Sequence, residues 1–225
     1  MNTIPNPFNP PVIPDAYFDS SRGCYWITNS RGGWISITES ALRRHLRPFL
    51  RAKPNDDEPL SPLDAHLNKL QREHDVAYAG PLAGVSAGVH REGSRYLLIT
   101  ESPILIKPVP GDWPVLGRLL ENLLVDEVTD QRPYFFGWLK VAREALFLAL
   151  RRPGQALCLA GPPDCGKSML QNLITPLLGG RSAKPYGWMT GATDFNGDLF
   201  EAEHLIIEDE AASTDIRARR NFGAR

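Results

Sequence analysis

QALCLAGPPDCGKSMLQNLITPLLGG, residues 155–180, is the stretch from which the rest of the chain is read. Ala156, Leu157, Cys158, Leu159 and Ala160 make a short apolar run with the length and composition of a buried strand. The turn GPPDCG follows at 161–166. Lys167-Ser168 then opens an amphipathic run in which Met169, Leu170, Leu173, Ile174, Leu177 and Leu178 recur at helical spacing, and Gly179-Gly180 stops it. From Gly161 to Ser168 the spacing fits G-x-x-x-x-G-K-[ST], in the strand–loop–helix setting that this pattern needs.

The residue types answer to one chemistry. Glycines at both ends let the backbone curl so that N–H groups converge on an anion. The helix that follows adds unpaired N–H groups and the positive end of its dipole. The candidate phosphate-binding residues are therefore Gly161, Pro162, Pro163, Asp164, Cys165, Gly166, Lys167, Ser168 and Met169. Lys167 serves the β and γ phosphates, and the Ser168 hydroxyl serves Mg²⁺. An ordinary Gly/Pro turn accounts for the bend but not for the whole motif. The ligands expected are ATP and Mg²⁺.

A second stretch belongs with the first. Leu205, Ile206 and Ile207 run directly into Glu208, Asp209 and Glu210. In P-loop proteins such a strand lies beside the P-loop strand, its acid holds Mg²⁺, and a neighbouring Glu polarises the attacking water. Two registers fit. Asp209 for the metal with Glu210 as base is preferred, and Glu208 with Asp209 stays open. The metal candidates are thus Ser168, Asp209 and Glu208, and the catalytic candidates Glu210 and Lys167.

GPPDCGKS followed by HLIIEDE resembles the superfamily-three helicase core of phage and plasmid primase–helicases, a branch of the AAA+ ATPases. The segment KPYGWMTGATDFNGDLFEAEHLIIEDEA, with its Phe-Asn before the second motif, resembles the same proteins. The resemblance implies ATP-driven translocation on DNA, single-stranded DNA as partner, and a homo-oligomer in the form of a hexameric ring. The family also carries a polar sensor residue, an arginine finger and further strands after the second motif. Here fifteen residues follow Glu210, and the expectation is the N-terminal portion of a longer ATPase. Arg217, Arg219, Arg220 and Arg225 lie too close to the second motif for the family's usual finger.

Composition narrows the compartment more than the function. A net charge of −1 gives no general argument for a nucleic-acid or membrane partner, so any such surface must come from local clustering. The clearest cluster is Arg43, Arg44, His45, Arg47, Arg51 and Lys53, and a solvated basic face is its plainer reading. Cys24, Cys158 and Cys165 have no metal-ligand spacing, which suits reduced thiols in a cytoplasmic protein. No run is long enough to span a membrane, and the N-terminus lacks the basic and apolar parts of a signal peptide.

Taken in order, residues 1–14 hold five prolines and read as an extended arm. Residues 17–37 read as three short strands with Gly-containing turns, Thr38 as the cap of a helix over 39–50, and Ser61-Pro62 as the start of a helix to 74. Short strands return over 76–110, including PILIKPV, so that 15–110 forms a small α+β accessory domain. Trp26 and Trp34 are placed in packing rather than in base stacking. Helices over 112–126, capped by Asp112, and 134–152 make a helical segment at 111–153. The P-loop NTPase core occupies 154–225, with a further strand at 184–190 and a turn at 193–196. The fold class expected is an α+β N-terminal domain followed by helices and a partial α/β, AAA+-like P-loop domain.

Three functions compete on this reading. The first is the ATP-binding portion of an ATP-dependent DNA helicase or primase–helicase. The second is a nucleic-acid-binding or assembly module that holds nucleotide without turnover. The third, a small-molecule P-loop kinase, lacks any visible lid with paired arginines.

Overall fold

The computed structural model describes residues 13–54, 58–150 and 152–208. The chain divides into two compact units: Met1–Gly80 with Ala87–Glu101, and Pro81–Ser86 with Ser102–Arg225. The boundary thus falls at 101/102 rather than at 110, and the helical segment and the P-loop stretch share one unit.

In the first unit, β1 (Ala16–Asp19), β2 (Cys24–Thr28) and β3 (Trp34–Ile37) form the expected antiparallel meander, with Ala16 opposite Ile27 and Tyr25 opposite Ile37. Side chains close both turns. The buried Asp19 carboxylate accepts from Ser21 Oγ at 2.6 Å and Arg22 N at 3.1 Å, while Asn29 Oδ1 accepts from Arg31 N and Gly33 N. Gly23 and Gly32 take the positive φ that each turn requires.

α1 (Glu39–Leu46) starts at Thr38, whose hydroxyl accepts from Ala41 N, and α2 (Pro62–Glu73) starts at Ser61. Ser61 is buried. Its Oγ accepts from Asp64 N at 3.1 Å and donates to Asp64 Oδ2 at 2.5 Å. Ser61→Ala removes this cap and is expected to lower the stability of the first unit by about 1–2 kcal/mol, read from its urea midpoint. Leu42 and Leu46 of α1 meet Leu63, Leu67 and Leu70 of α2 over Ala16, Tyr25 and Ile27, which is the unit's main core.

A second sheet pairs β4 (Val76–Gly80) parallel to β6 (Arg95–Ile99), which is antiparallel to β5 (Gly88–Glu92). Val76, Ala79 and Leu98 form its core, and Trp26 and Trp34 pack on it with Tyr17 and Tyr96. Both tryptophans are therefore occupied in packing.

The second unit contains α3 (Pro114–Leu124), α4 (Arg132–Phe147), α5 (Lys167–Leu177), β7 (Ser182–Ala183), α6 (Tyr186–Met189), α7 (Gly197–Glu201) and β8 (His204–Leu205). Its core is Leu120 and Leu124 of α3, Phe135 of α4, and Leu170, Ile174 and Leu178 in and after α5. Several expectations are corrected here. Trp113, not Asp112, takes the cap position of α3 and makes no side-chain cap. α4 ends at Phe147 rather than 152, because Ala149 turns left-handed (φ 50°) and Leu150 N bonds back to Ala145 O. PILIKPV forms no strand, and its strand-like pairing is a single bridge from Ile104 to Gly179.

The run Ala156–Ala160 is not a buried strand either. Leu157 and Leu159 turn onto the core, whereas Ala156, Cys158 and Ala160 are exposed. No strand ladder flanks the run among the described residues, so neither edge is paired, and only the side carrying Leu157 and Leu159 is covered. The strand expected at 184–190 is also replaced. β7 ends at Ala183, and Pro185 (φ −76°) leads into the helical turn α6, where Thr190 Oγ1 caps back onto Tyr186 O.

Candidate functional site

The loop between Ala160 and α5 is shaped at four residues. Asp164 and Gly166 have φ of 58° and 101°, and two prolines at 162 and 163 fix the preceding turn and contribute no N–H. The backbone donors left to the loop are Gly161, Asp164, Cys165, Gly166 and the first residues of α5. Gly166 is the N-cap of α5, no side chain caps that end, and its first intrahelical bond is Leu170 N to Gly166 O at 3.0 Å. A helix N-terminus without a side-chain cap leaves its first N–H groups without intrahelical partners. A Cβ at Gly166 would meet Leu119 Cδ1 at 3.0 Å, so both the left-handed turn and the approach of α3 call for glycine.

Lys167 lies across this loop. Its Nζ donates to Gly161 O at 2.9 Å and Pro162 O at 2.7 Å, and stands 3.6 Å from Cys165 Sγ. The ammonium thus spans the loop mouth on neutral acceptors that an anion can replace. Gly161, Pro162, Pro163, Asp164, Ser168 and Met169 are exposed, whereas Cys165, Gly166 and Lys167 are half-buried. Leu170 and Ile174, on the side of α5 away from the exposed Ser168 and Met169, anchor the helix in the core.

The acidic stretch leaves β8, which pairs parallel with β7 rather than with the run before the loop. Ser182 lies opposite His204, and Ile206 N donates to Ala183 O at 2.9 Å. Glu208 is half-buried, and its Oε2 accepts from Lys184 Nζ at 2.5 Å. Asp209, Glu210, Arg217, Arg219, Arg220 and Arg225 lie outside the described residues. Among the described residues, no three His, Cys, Asp or Glu side chains converge as a metal-ligand group.

Two polar links missed by sequence reasoning join β8 to its surroundings. His204, 8% exposed, places Nδ1 2.9 Å from Thr175 Oγ1, which also donates to Gln171 O. The helix carrying Lys167 and the strand that leads to Glu208 are thereby tied side chain to side chain. Glu203 accepts from Arg181 through both oxygens and from Gly84 N at 3.1 Å. An isolated His before an apolar strand and a Glu two residues before Leu205 were the available signals, and neither is specific.

Burial holds the His204 imidazole below its ordinary value; it does the same at His66, aided by the charges of His74 and Lys69. Both therefore fold neutral and take up protons on unfolding. Their share of stability is complete above the unfolded value of about 6.5 and is lost as pH falls below it toward the folded values. A lower denaturation midpoint at pH 5.5 than at pH 7.5 is expected, with a smaller difference in a His66→Gln/His204→Gln variant.

Of the basic cluster, Arg43 is engaged within the fold: Nε binds Glu39 at 2.8 Å and Nη1 binds Asp64 at 2.7 Å. Arg44, His45, Arg47, Arg51 and Lys53 are exposed.

No protein-family model matches the chain, and no curated protein matches it. Among solved structures, the A form apo structure of the NrS-1 C-terminal region is similar, with a TM-score of 0.47 and 17% identity over 84% of this chain and 41% of that one. The chain thus spans about two fifths of the length of the chain that it matches. No described helix is long and apolar enough to cross a membrane.

Proposed function

We propose that residues 161–168 bind the phosphates of ATP with Mg²⁺, within the ATP-binding portion of an ATP-dependent DNA helicase or primase–helicase of phage or mobile-element replication. One observation carries the nucleotide reading. A left-handed glycine opens an uncapped helix end directly after a curled loop, and the following lysine bridges the mouth of that loop. Fixed donors and a mobile cation around one small volume suit a phosphate chain. The replication-motor part rests on the resemblance of GPPDCGKS and HLIIEDE. A partial α/β, AAA+-like core remains the fold that this reading requires.

The metal fits the donor chemistry at Ser168, whose hydroxyl stands in the first exposed turn of α5. Glu208 is held by Lys184, which favours Asp209 for the metal and Glu210 for the water. Glu210→Gln is then expected to lower ATP turnover by about 10²–10⁴ while ATP still binds, and Glu208→Gln to change turnover by less than about tenfold. The reverse order would support the Glu208-Asp209 register.

The test is ATP binding and hydrolysis by the purified chain, with and without single-stranded DNA. Binding with DNA-stimulated turnover supports the motor. Binding without turnover supports a nucleotide-holding module. Absence of binding removes both.

A further inference from the structure

We propose that the outward side of α1 and of the turn after it binds the phosphodiester backbone of nucleic acid, with Arg44, Arg47 and Arg51 as the contacting cations. The proposal deepens the reading above by giving the DNA partner a place on the chain, and it rests on that reading for the choice of partner.

Residues 43–53, RRHLRPFLRAK, hold five Lys and Arg and no carboxylate, in a chain whose 25 basic and 26 acidic side chains nearly cancel. The fold sorts this segment into two sides. Leu42 and Leu46 are 1% and 0% exposed in the main core, and Leu50 packs on it. Arg47 N bonds to Arg43 O and Leu50 N to Leu46 O, so the helical path continues past the end of α1. Positions 44 and 47, three residues apart, consequently share the side away from those leucines, and Arg51 is exposed in the segment that follows. Arg43 neutralises Glu39 and Asp64, the acids nearest to it in the fold. The acidic run Asp56, Asp57 and Glu58 bounds the stripe in sequence.

The character of this side selects the partner. A membrane-surface helix presents apolar residues beside its cations, and the leucines of α1 are buried instead. A protein interface is anchored by exposed aromatic or aliphatic side chains, and among the described residues this unit exposes only Ile35 and Leu60 as large apolar groups. A cationic stripe with no apolar anchor suits a polyanion of regular charge spacing. With Trp26 and Trp34 packed on the second sheet, binding is expected to ignore sequence and to depend steeply on salt.

Anisotropy of a labelled mixed-sequence single strand of 20 nucleotides, titrated with the full chain from 50 to 200 mM salt, tests this. Three phosphate contacts give a log–log salt slope of about −2 for a single strand. The Arg44→Gln/Arg47→Gln/Arg51→Gln variant is expected to bind at least about tenfold more weakly at 50 mM salt and with a slope near zero. Arg72→Gln/Arg95→Gln, two exposed cations elsewhere on this unit, is expected to stay within about twofold. Should the triple variant misfold, Arg44→Gln alone is expected to flatten the slope by about 0.7. Wild-type affinity and slope in the stripe variants overturn the proposal. So does a wild-type chain that binds ATP but not DNA, or that prefers phosphatidylserine vesicles to DNA; ATP titration of the same samples keeps the nucleotide reading separate. DNA binding without ATP binding would remove the nucleotide reading and leave the stripe. A duplex of the same sequence shows which form of the backbone is preferred.

Discussion

Lys167→Ala is expected to weaken Mg·ATP binding by about 10- to 100-fold and to leave folding intact. A hydrogen bond to a charged group contributes about 1.5–3 kcal/mol, and each 1.4 kcal/mol is tenfold in affinity. In the free chain the ammonium rests on Gly161 O and Pro162 O, both at the exposed rim of the loop. Those carbonyls turn to water when the lysine is truncated, so the melting temperature should move by no more than about 2 °C. Lys167→Arg is expected to resemble the alanine variant, since a planar fork does not replace a point charge on a flexible stem. Calorimetric titration of the three proteins measures the effect. Equal affinities would place the nucleotide elsewhere or nowhere.

The largest effect on stability is expected from Glu203→Ala. The Glu203 side chain is 2% exposed and collects three bonds: two from Arg181 and one from Gly84 N. Around it, Arg181 also donates to Leu82 O, Ala83 N donates to Phe200 O, and Gly179 passes so close that a Cβ there would meet Glu203 Cδ at 3.0 Å. The carboxylate therefore fastens residues 81–86, the end of α5 and the start of β8 together. Removing one partner of a buried pair costs about 3–5 kcal/mol, a large part of the 5–15 kcal/mol that holds a domain. The second unit should then lose its protection in limited proteolysis while the first keeps its own. Glu203→Leu with Arg181→Met should recover part of the loss, because an apolar pair strands no charge. Unchanged protection in Glu203→Ala would contradict this role for the carboxylate.

Local patterns carried the sequence reading furthest. Thr38 and Ser61-Pro62 mark helix starts by chemistry within three residues, and the leucines at 63, 67 and 70 mark the buried side of α2, so the first unit was readable element by element. The turn at 161–166 and the start of α5 were readable for the same reason, because Gly166 and the apolar spacing after it are local signals.

Elements that depend on distant partners were not readable. The run 156–160 has the composition of a strand, but composition does not say whether a neighbour lies on either edge. β7 and β8 are two residues each, below any periodic signal. YGWM at 186–189 has the aromatic content of a strand, yet Pro185 and the Thr190 cap bend it into a helical turn. Glu203 reaches Gly84 across 119 positions, and His204 reaches Thr175 across 29, so neither pairing is written in a local pattern. Large exposed apolar groups also gather in the second unit: Ile104, Val109, Val115, Tyr134 and Phe147 are each more than two thirds exposed. They lie on α3, α4 and the segments beside them, whose outward sides no described residue covers although periodicity alone suggests burial.

The occupancy of the loop itself is tested most directly at Cys165. Its thiol is free and half-buried, 3.6 Å from Lys167 Nζ, while Cys158 is exposed in the run before the loop. Alkylation rates at both cysteines, followed by peptide mass spectrometry across a Mg·ATP titration, report on the loop and on its immediate flank. The expected result is that ATP slows the reaction at Cys165 at least about tenfold, with the half-point of calorimetric binding, and that Lys167→Ala shifts that half-point to higher ATP. ATP that binds while Cys165 reacts as fast as in the free chain would contradict a phosphate site at residues 161–168.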